Sequence, residues 1–304
     1  MYSVIIATYN GSKFIIEQLN SIINQSKKID KIYIYDDCST DNTINLIQVW
    51  IQKNHIYNVI IKQNSKNKGY TQNFLDALNE VEGDYVFLCD QDDVWQQNKL
   101  EEYFKILKKY EKFNKPLLVT SGYSVCDEML NVIKTCHISK KAEDIRKVNL
   151  QSFIKDCSYP GMTFCVNRNL IELARSKTNY KYIKYHDYFL SILAIQHGDM
   201  ILIPESLVLY RQHGNNVLGA AGNNNKTRKH WKKNLEQKES EISILEYCNI
   251  DSNLFEKKKD FLNKRMSFFY DNNITSIILN FFSYIKYFNL KSFFGDLYFS
   301  IKRN

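Results

Sequence analysis

The segment Gly83-Asp-Tyr-Val-Phe-Leu-Cys-Asp-Gln-Asp-Asp-Val-Trp95 joins an apolar run to a cluster of carboxylates. Residues 85–89 have the pattern of a buried β-strand, and Asp90, Asp92 and Asp93 follow directly. Capping of a following helix requires only one of these carboxylates. Because three neighbouring carboxylates repel one another, the cluster favours a site for a divalent cation or for the hydroxyl groups of a ligand. An acidic turn exposed to solvent is the alternative interpretation.

Strand and helix patterns alternate on both sides of this segment. Strands are predicted at residues 3–7, 31–35, 59–62, 85–89 and 117–121. Helices are predicted at residues 12–24, 41–52, 71–81 and 98–110. This alternation predicts an α/β fold with a largely parallel sheet. Ligands of such sheets bind at the carboxyl ends of the strands.

Two other predicted strands also end in polar residues. Thr8-Tyr-Asn10 follows the first strand, and Asp36-Asp-Cys-Ser39 follows the second. Since parallel strands end at the same edge of a sheet, we expect these residues to lie near Asp90. Capping of the following helix is an equally good interpretation for Ser39 and for Asp41.

The composition of the 304-residue chain is that of a globular protein. Hydrophobic residues make up 44%, with only 10 Gly and 3 Pro, which excludes disordered, collagen-like and low-complexity classes. The cysteines are Cys38, Cys89, Cys126, Cys136, Cys157, Cys165 and Cys248. Because no CxxC pair occurs among these seven, a structural zinc site is disfavoured and a reducing cytoplasm is favoured.

The sequence predicts no membrane span. Residues 1–10 lack the features of a signal peptide, and no stretch reaches the roughly 18 apolar residues that crossing a bilayer requires. The nearest, residues 274–288, is interrupted by Asn280, Ser283 and Lys286. We therefore expect a soluble or peripheral protein in the cytoplasm.

Positive charge is concentrated in the C-terminal part of the chain. The formal net charge is +8, and residues 226–304 hold 15 basic and 9 acidic residues, a net charge of +6. The small polar stretch at residues 219–225 reads as a linker. We predict one domain over residues 1–217 and a basic α-helical region over residues 226–304.

Apolar residues recur at helical spacing in this C-terminal region. Such spacing is typical of a packed core or of a homodimer contact. Basic side chains beside Phe and Tyr would also suit an anionic membrane surface, here the inner face of the cytoplasmic membrane. The two interpretations do not exclude each other.

An ordered set of motifs resembles family 2 glycosyltransferases, which have the GT-A fold. The motifs are Val4-Ile-Ile-Ala-Thr-Tyr-Asn10, Glu17-Gln-Leu-Asn-Ser-Ile-Ile-Asn-Gln25, Ile34-Tyr-Asp-Asp-Cys-Ser-Thr-Asp-Asn-Thr43, Asn67-Lys-Gly69 with Asn73, the opening segment, His186-Asp187, and Tyr210-Arg-Gln-His213 with Asn216. The resemblance covers about residues 1–217, and Cys38 stands where the family usually has Gly. It implies a GT-A domain with a nucleotide-binding half at residues 1–95 and an acceptor-binding half at residues 96–217.

The resemblance implies that the strand ends bind a nucleotide-diphosphate sugar. The residues that it assigns to the nucleotide are Thr8, Asn10, Asp36, Asp37, Asn67, Gly69, Asp90, Gln91 and Arg211. Asp37 is preferred for the base, Asp90 for the ribose and Arg211 for the diphosphate. Helix capping is the alternative for Asp37.

The resemblance also implies a metal site, because Asp90-Gln91-Asp92 matches the DxD motif of the family. Asp92 would bind Mg²⁺ or Mn²⁺ directly, and His213 would be a further ligand. Such a cation neutralises the diphosphate as it leaves. A histidine on a surface loop, without a metal, is the alternative for His213.

Asp187 matches the general base of the family, which removes the proton of the acceptor hydroxyl. A charge that merely complements a helix N-terminus is the alternative. The residues that the resemblance places on the acceptor side are Trp95, Gly161, Met162, Thr163 and His186. A plain turn that enters a strand is the alternative for residues 159–165.

The motifs most resemble the branch often described as rhamnosyltransferases. They imply an inverting, metal-dependent transfer from dTDP-rhamnose or a UDP-hexose to a glycan or lipid-linked oligosaccharide in bacterial polysaccharide, O-antigen or capsule biosynthesis. A Rossmann oxidoreductase is disfavoured because no GxGxxG motif is present. A glycosidase is disfavoured because it has no use for a nucleotide pocket. A nucleic-acid-binding protein is disfavoured because no nucleic-acid-binding motif is present. The alternative interpretation, a catalytically inactive relative that acts as an assembly partner, is not excluded by the sequence.

Overall fold

The computed structural model describes residues 1–110, 113–136, 144–155, 159–214 and 228–302. The chain forms two compact units, the first comprising Met1–Val148 and Ser158–Ala220 and the second comprising Asn149–Cys157 and Ala221–Asn304. The predicted linker at residues 219–225 and Asn216 lie outside the described residues. The two units are therefore described one at a time.

The first unit is an α/β unit. Its strands are β1 (Tyr2–Thr8), β2 (Lys31–Asp36), β3 (Val59–Gln63), β4 (Tyr85–Asp90), β5 (Val94–Trp95), β6 (Leu117–Cys126), β7 (Val132–Cys136), β8 (Arg146–Lys147), β9 (Cys165–Asn167) and β10 (Asp199–Arg211). Its helices are α1 (Ile15–Ile23), α2 (Thr43–Asn54), α3 (Tyr70–Glu80), α4 (Lys99–Tyr110), α6 (Arg168–Lys177) and α7 (His186–His197).

Within the described residues, the ten strands form one sheet in the order β3-β2-β1-β4-β9-β6-β10-β5, with β7 beside β6 and β8 beside β10. Strands β1 to β4 pair in parallel, as do β6 and β10. The pairs that include β5, β7, β8 or β9 are antiparallel. The predicted α/β fold is confirmed, and its parallel part carries the strand ends singled out above.

Burial explains why the central strands read as continuous apolar runs. Val4, Ile5 and Ile6 of β1 are fully buried, and so are residues 86–89 of β4. A parallel sheet with helices on both faces has no solvent-facing side, so its strands need not alternate apolar and polar residues.

The second unit is helical. Its helices are α5 (Leu150–Lys155), α8 (Arg228–Tyr247), α9 (Asn253–Tyr270), α10 (Ile274–Leu279), α11 (Phe281–Tyr287) and α12 (Leu290–Ile301). The fully buried carboxylate of Asp296 binds the Arg265 guanidinium (Nε–Oδ2, 2.6 Å), the Tyr284 hydroxyl (2.7 Å) and the Trp231 indole N–H (2.5 Å). This network joins α8, α9, α11 and α12 around the buried charge of Asp296. The three side-chain donors compensate that charge.

In the described part of the chain, no helix is both long and apolar enough to cross a bilayer. The described cysteines Cys38, Cys89, Cys126, Cys165 and Cys248 are unbridged thiols.

Candidate active site

Strands β1 and β2 end side by side, and a hydrogen bond joins their last residues. The Thr8 hydroxyl donates to Asp36 Oδ1 (2.9 Å), and the Ser39 backbone N–H donates to Asp36 Oδ2 (2.8 Å). Asp36 also accepts from the Ser39 hydroxyl and from the Gln63 amide (3.2 Å). Protein donors thus engage both oxygens of Asp36, which organises the turn after β2.

Asp37 holds the loop that precedes α3. Its Oδ1 accepts from the backbone N–H of Lys68 (2.8 Å) and its Oδ2 accepts from that of Gly69 (2.7 Å), while the Asn64 amide donates to Oδ1 (2.9 Å). Gly69 has a φ of +85°, a conformation that L side chains rarely adopt, and it caps α3. The structure therefore brings Asp37, Asn67 and Gly69 together, and their predicted contact with a nucleotide stays a prediction.

The loop after β1 is fixed from two sides. Asn10, at a φ of +48°, accepts from the Thr40 backbone N–H through Oδ1 (2.8 Å). Gln91 exchanges two hydrogen bonds with the Tyr9 backbone (2.8 and 3.0 Å). Asn10 and Gln91 thus lie at the same sheet edge as Thr8, where the predicted nucleotide site requires them.

Two neighbouring carboxylates and a third from a distant part of the chain come together at this edge. Asp90 ends β4, Asp92 follows it, and Asp187 comes from the first turn of α7. Burial raises the pKa of Asp90, and the charges of Asp92 and Asp187 raise it further. Carboxylates whose charges act on one another in this way favour a cation or hydrogen-bonding ligand beside them.

Asp92 and His213 form a pair suited to a divalent cation. His213 Nε2 lies 2.7 Å from Asp92 Oδ2, and both side chains are largely buried. Among the described residues, no group of three or more His, Cys, Asp or Glu side chains could hold a metal ion. If this pair held a cation, it would supply one oxygen and one nitrogen ligand, and further ligands would come from a bound diphosphate or water. A mixed donor set suits Mn²⁺ better than Mg²⁺, which prefers oxygen.

Arg211 is 2% exposed and is engaged by the protein itself. Its guanidinium donates to the backbone carbonyls of Asp92 (2.9 Å) and Glu128 and to the Glu17 carboxylate. Its backbone N–H donates to the buried Asp93 (3.3 Å). These contacts make Arg211 a positioning residue for the segment that carries Asp92, while its predicted contact with a diphosphate stays a prediction.

Asp187 is held by backbone N–H groups. The Tyr188 N–H donates to its Oδ1 (2.8 Å), and the Gly161 N–H also favours the charged form. Burial outweighs these hydrogen bonds and raises the pKa of Asp187 to about 6. A carboxyl group with such a pKa is mostly ionised at neutral pH yet basic enough to accept a proton.

His186 lies behind Asp187 rather than beside open solvent. Its ring stacks on Phe74 with centroids 4.4 Å apart, and burial lowers its pKa to about 3, so the imidazole is neutral. In the described structure neither ring nitrogen has a hydrogen-bond partner. His186 therefore packs against Phe74, and its predicted role on the acceptor side stays a prediction.

Three other residues predicted for the acceptor side are deeply buried. Trp95 is 3% exposed and lies in the main core, and Met162 and Thr163 lie in a buried 3₁₀ turn, Gly161–Thr163. Contact of these three residues with an acceptor stays a prediction. The turn is instead a support for Gly161, which lies against His186 and Asp187.

Lys99 supports this turn and was not singled out in the sequence. Its Nζ donates to the Met162 carbonyl (3.2 Å) and lies 3.9 Å from the Trp95 ring centroid. Burial lowers the pKa of Lys99 to about 7. The apolar repeat of α4 gives no sign that its first residue is buried, so only the tertiary structure reveals this contact.

Two tyrosines near the carboxylates were also missed. Burial raises the pKa of Tyr70, and the charges of Asp187 and Asp90 raise it further. Burial likewise raises the pKa of Tyr210, with contributions from Asp93 and Asp90. Tyr70 directly follows the quoted motif Asn67-Lys-Gly69, and Tyr210 is the first residue of the quoted motif Tyr210-Arg-Gln-His213, although neither was given a role there.

We predict that Gly161→Ala lowers kcat/KM at least about 100-fold, because misplacing a reacting group by about 1 Å costs that much. A methyl group on Gly161 would lie 2.6 Å from His186 Nε2 and 3.4 Å from the Cβ of Asp187. Steady-state kinetics and calorimetric titration with UDP or dTDP would separate the loss of turnover from nucleotide binding, which should persist. Gly214→Ala is the matched control, since a methyl group there meets open space. Wild-type turnover in Gly161→Ala would contradict the prediction.

Comparison with protein families gives a match that starts at β1 and includes the whole carboxylate segment of β4. The model of glycosyl transferase family 2 matches residues 3–158. The chain belongs to glycosyltransferase family 2. It is 32% identical over 227 residues to the dTDP-rhamnosyl transferase RfbG of Shigella flexneri, covering 70% of this chain and 73% of that protein.

Solved structures of glycosyltransferases share the fold. Residues 1–349 of TarS from S. aureus, in complex with UDP-GlcNAc, superpose with a TM-score of 0.62 at 19% identity, over 88% of this chain and 73% of that one. The mannosyltransferase PcManGT from Pyrobaculum calidifontis, in complex with GDP-Man and Mn²⁺, gives 0.55 at 16% identity, over 83% and 65%. The predicted family and the predicted GT-A fold with a helical C-terminal part are confirmed.

Proposed function

We propose that this family 2 glycosyltransferase is an inverting, metal-dependent enzyme that uses a nucleotide-diphosphate sugar. The observation that carries the proposal is the convergence of Asp90, Asp92 and Asp187 at the ends of the parallel strands, with His213 on Asp92. One carboxylate is thus paired with a metal-binding nitrogen, and another is free of such a partner and has a pKa close to neutral. Two carboxylates with different environments suit two different roles.

In the proposed reaction, Asp187 takes the proton of the acceptor hydroxyl as its oxygen bonds to the anomeric carbon. The bond from that carbon to the diphosphate breaks on the opposite face, and the nucleoside diphosphate leaves. Asp92 and His213 would hold Mn²⁺ or Mg²⁺, which would stabilise charge on the leaving group. Arg211 donates a hydrogen bond to the backbone carbonyl of Asp92, and the backbone N–H of Gly161 donates one to Asp187.

The proposed donor is dTDP-rhamnose or a UDP-hexose. The similarity to RfbG supports the first, and the fold shared with TarS, whose structure contains UDP-GlcNAc, supports the second. The proposed acceptor is a hydroxyl of a glycan or lipid-linked oligosaccharide in bacterial surface-polysaccharide synthesis. We place the enzyme in the cytoplasm, peripheral to the inner face of the cytoplasmic membrane.

A donor panel tests the proposal. Purified protein with Mn²⁺ is incubated with dTDP-rhamnose, UDP-glucose, UDP-galactose or UDP-GlcNAc, and release of the nucleoside diphosphate is followed with and without an oligosaccharide acceptor. We expect donors with only one of the two nucleobases, thymine or uracil, to support turnover. NMR of the product should show an inverted anomeric centre. No turnover with any donor, together with normal nucleotide binding, would instead support an inactive binding relative.

The pH dependence of turnover reports on the proposed base. The pKa of Asp187 is raised to about 6, so the carboxylate is protonated and unable to accept a proton below that pH. We expect kcat/KM for the acceptor to rise with pH, to reach half its maximum near about pH 6 and to level off above about pH 7. A profile that is flat from about pH 5 to 8 would contradict this assignment.

A further inference from the structure

We infer that one exposed apolar face of the helical unit binds the surface of an anionic membrane. The face lies on α10, α11 and α12 and consists of Ile278, Leu279, Phe282, Ile285, Leu290, Phe294, Tyr298 and Ile301. It specifies the membrane contact proposed above and does not depend on the chemistry of sugar transfer.

Helix α12 shows why this face is unusual. Phe293, Asp296 and Phe299 point into the unit and are buried. The opposite side carries Leu290, Phe294, Tyr298 and Ile301 at spacings of three and four residues, and Phe294 and Ile301 are 59% and 62% exposed. A surface helix normally presents polar residues to water, so an apolar outer stripe indicates a partner.

Aromatic contacts connect the exposed residues of α11 with those of α12. Phe282 on α11 is 82% exposed, and its ring contacts Phe281 at 5.6 Å between centroids. Phe281 packs on Phe293 (4.9 Å), which packs on the exposed Phe294 (5.2 Å). This chain of aromatic rings runs through the buried Phe293 and holds the exposed Phe282 and Phe294 on packed, neighbouring helices.

Charge decides between a membrane and a second copy of the chain. Lys286, Lys291 and Lys302 accompany the face, and Lys302 lies over the ring of Tyr298. The only carboxylate between residues 272 and 302 is Asp296, which is fully buried and paired with Arg265. In a twofold dimer the same patch is buried against its copy, which would gather the lysines of both copies with no exposed carboxylate of this stretch to compensate them. Anionic headgroups would instead compensate the lysines while aromatic and aliphatic side chains enter the headgroup region.

Vesicle flotation with the full-length protein tests the inference. Vesicles of phosphatidylcholine alone are compared with vesicles that also contain phosphatidylglycerol. We expect flotation with the anionic vesicles, weakened by salt, and at least a tenfold loss for the double variant Phe282→Gln/Phe294→Gln. Lys286→Glu/Lys291→Glu should lose binding to anionic vesicles in the same way without removing any apolar side chain.

Controls keep the outcomes separate. Tyr57→Gln removes an aromatic side chain that is 90% exposed on the first unit, and it should leave flotation unchanged. Nucleotide-induced thermal shifts of every variant report on folding and on the donor site independently of lipid. Absence of wild-type flotation would overturn the inference. So would a concentration-dependent wild-type dimer in sedimentation that the phenylalanine variant abolishes while vesicle binding persists.

Discussion

Asp187→Asn is expected to lower kcat at least about 1,000-fold while nucleotide binding stays within about twofold of wild type. The substitution keeps the size of the side chain but removes its ability to accept a proton, and general base catalysis commonly contributes 10²–10⁴-fold. The nucleotide contacts proposed for Thr8, Asp37 and Asn67 do not involve Asp187. Initial rates with the active donor and calorimetric titration with its nucleoside diphosphate measure the two quantities.

The matched control for this substitution is Asp84→Asn. Asp84 is an exposed carboxylate on the same unit, paired with the N-terminal amine at 2.5 Å. Its replacement should change neither rate nor binding. If Asp187→Asn kept its activity within a few fold, the base would have to be another group; if it lost nucleotide binding, Asp187 would belong to the donor site or to the fold.

Asp92→Ala is expected to abolish the effect of Mn²⁺ on nucleotide binding and to lower turnover at least about 1,000-fold. The substitution removes the oxygen that lies 2.7 Å from His213 and leaves the imidazole as the only ligand of the proposed pair. Since it also removes one of the crowded negative charges beside Asp90 and Asp93, the ligand-free protein should not melt at a lower temperature than wild type. This combination distinguishes loss of a metal ligand from loss of the fold.

Thermal melts of Asp92→Ala with and without Mn²⁺, in the presence of the preferred nucleotide, measure this prediction. Asp84→Ala is the control and should melt as the wild type does under each condition. An Asp92→Ala protein that still showed the full Mn²⁺-dependent shift would exclude Asp92 as the ligand.

Most of the parallel part of the fold could be predicted, because β1, β2, β4 and β6 are apolar and buried over most of their length. Strands β1, β2, β3, β4 and β6 appear where runs of such residues stand between turn signals. Strand β9 has three residues and β5 has two, too few for a periodic pattern. Strand β10 carries Pro204 and Glu205, and its pairing with β6 shifts register between Ile203 and Ser206. Irregular pairing of this kind depends on partner strands that a local pattern does not contain.

The residues of the candidate site likewise fall into those that the sequence predicted and those that it did not. Polar residues at strand ends were predicted because parallel strands place their carboxyl ends at one edge. The burial of Trp95 and Thr163 was not predicted, because each lies in a short segment with no clear period. The roles of Lys99 and Arg211 depend on contacts with residues more than 60 positions away, such as Met162 and Asp92. Side-chain contacts between such distant segments follow from tertiary packing and not from local sequence.

The most direct test of a metal-dependent nucleotide-sugar site is a thermal-shift panel of UDP, dTDP, GDP, CMP and NAD, each with and without Mn²⁺. A ligand that binds only the folded protein raises the melting temperature by mass action, so the acceptor need not be known. We predict a Mn²⁺-dependent rise with UDP or dTDP and none with NAD. A shift with NAD alone, or none with any nucleoside diphosphate, would contradict the donor site built from Asp37, Asp90 and Asp92.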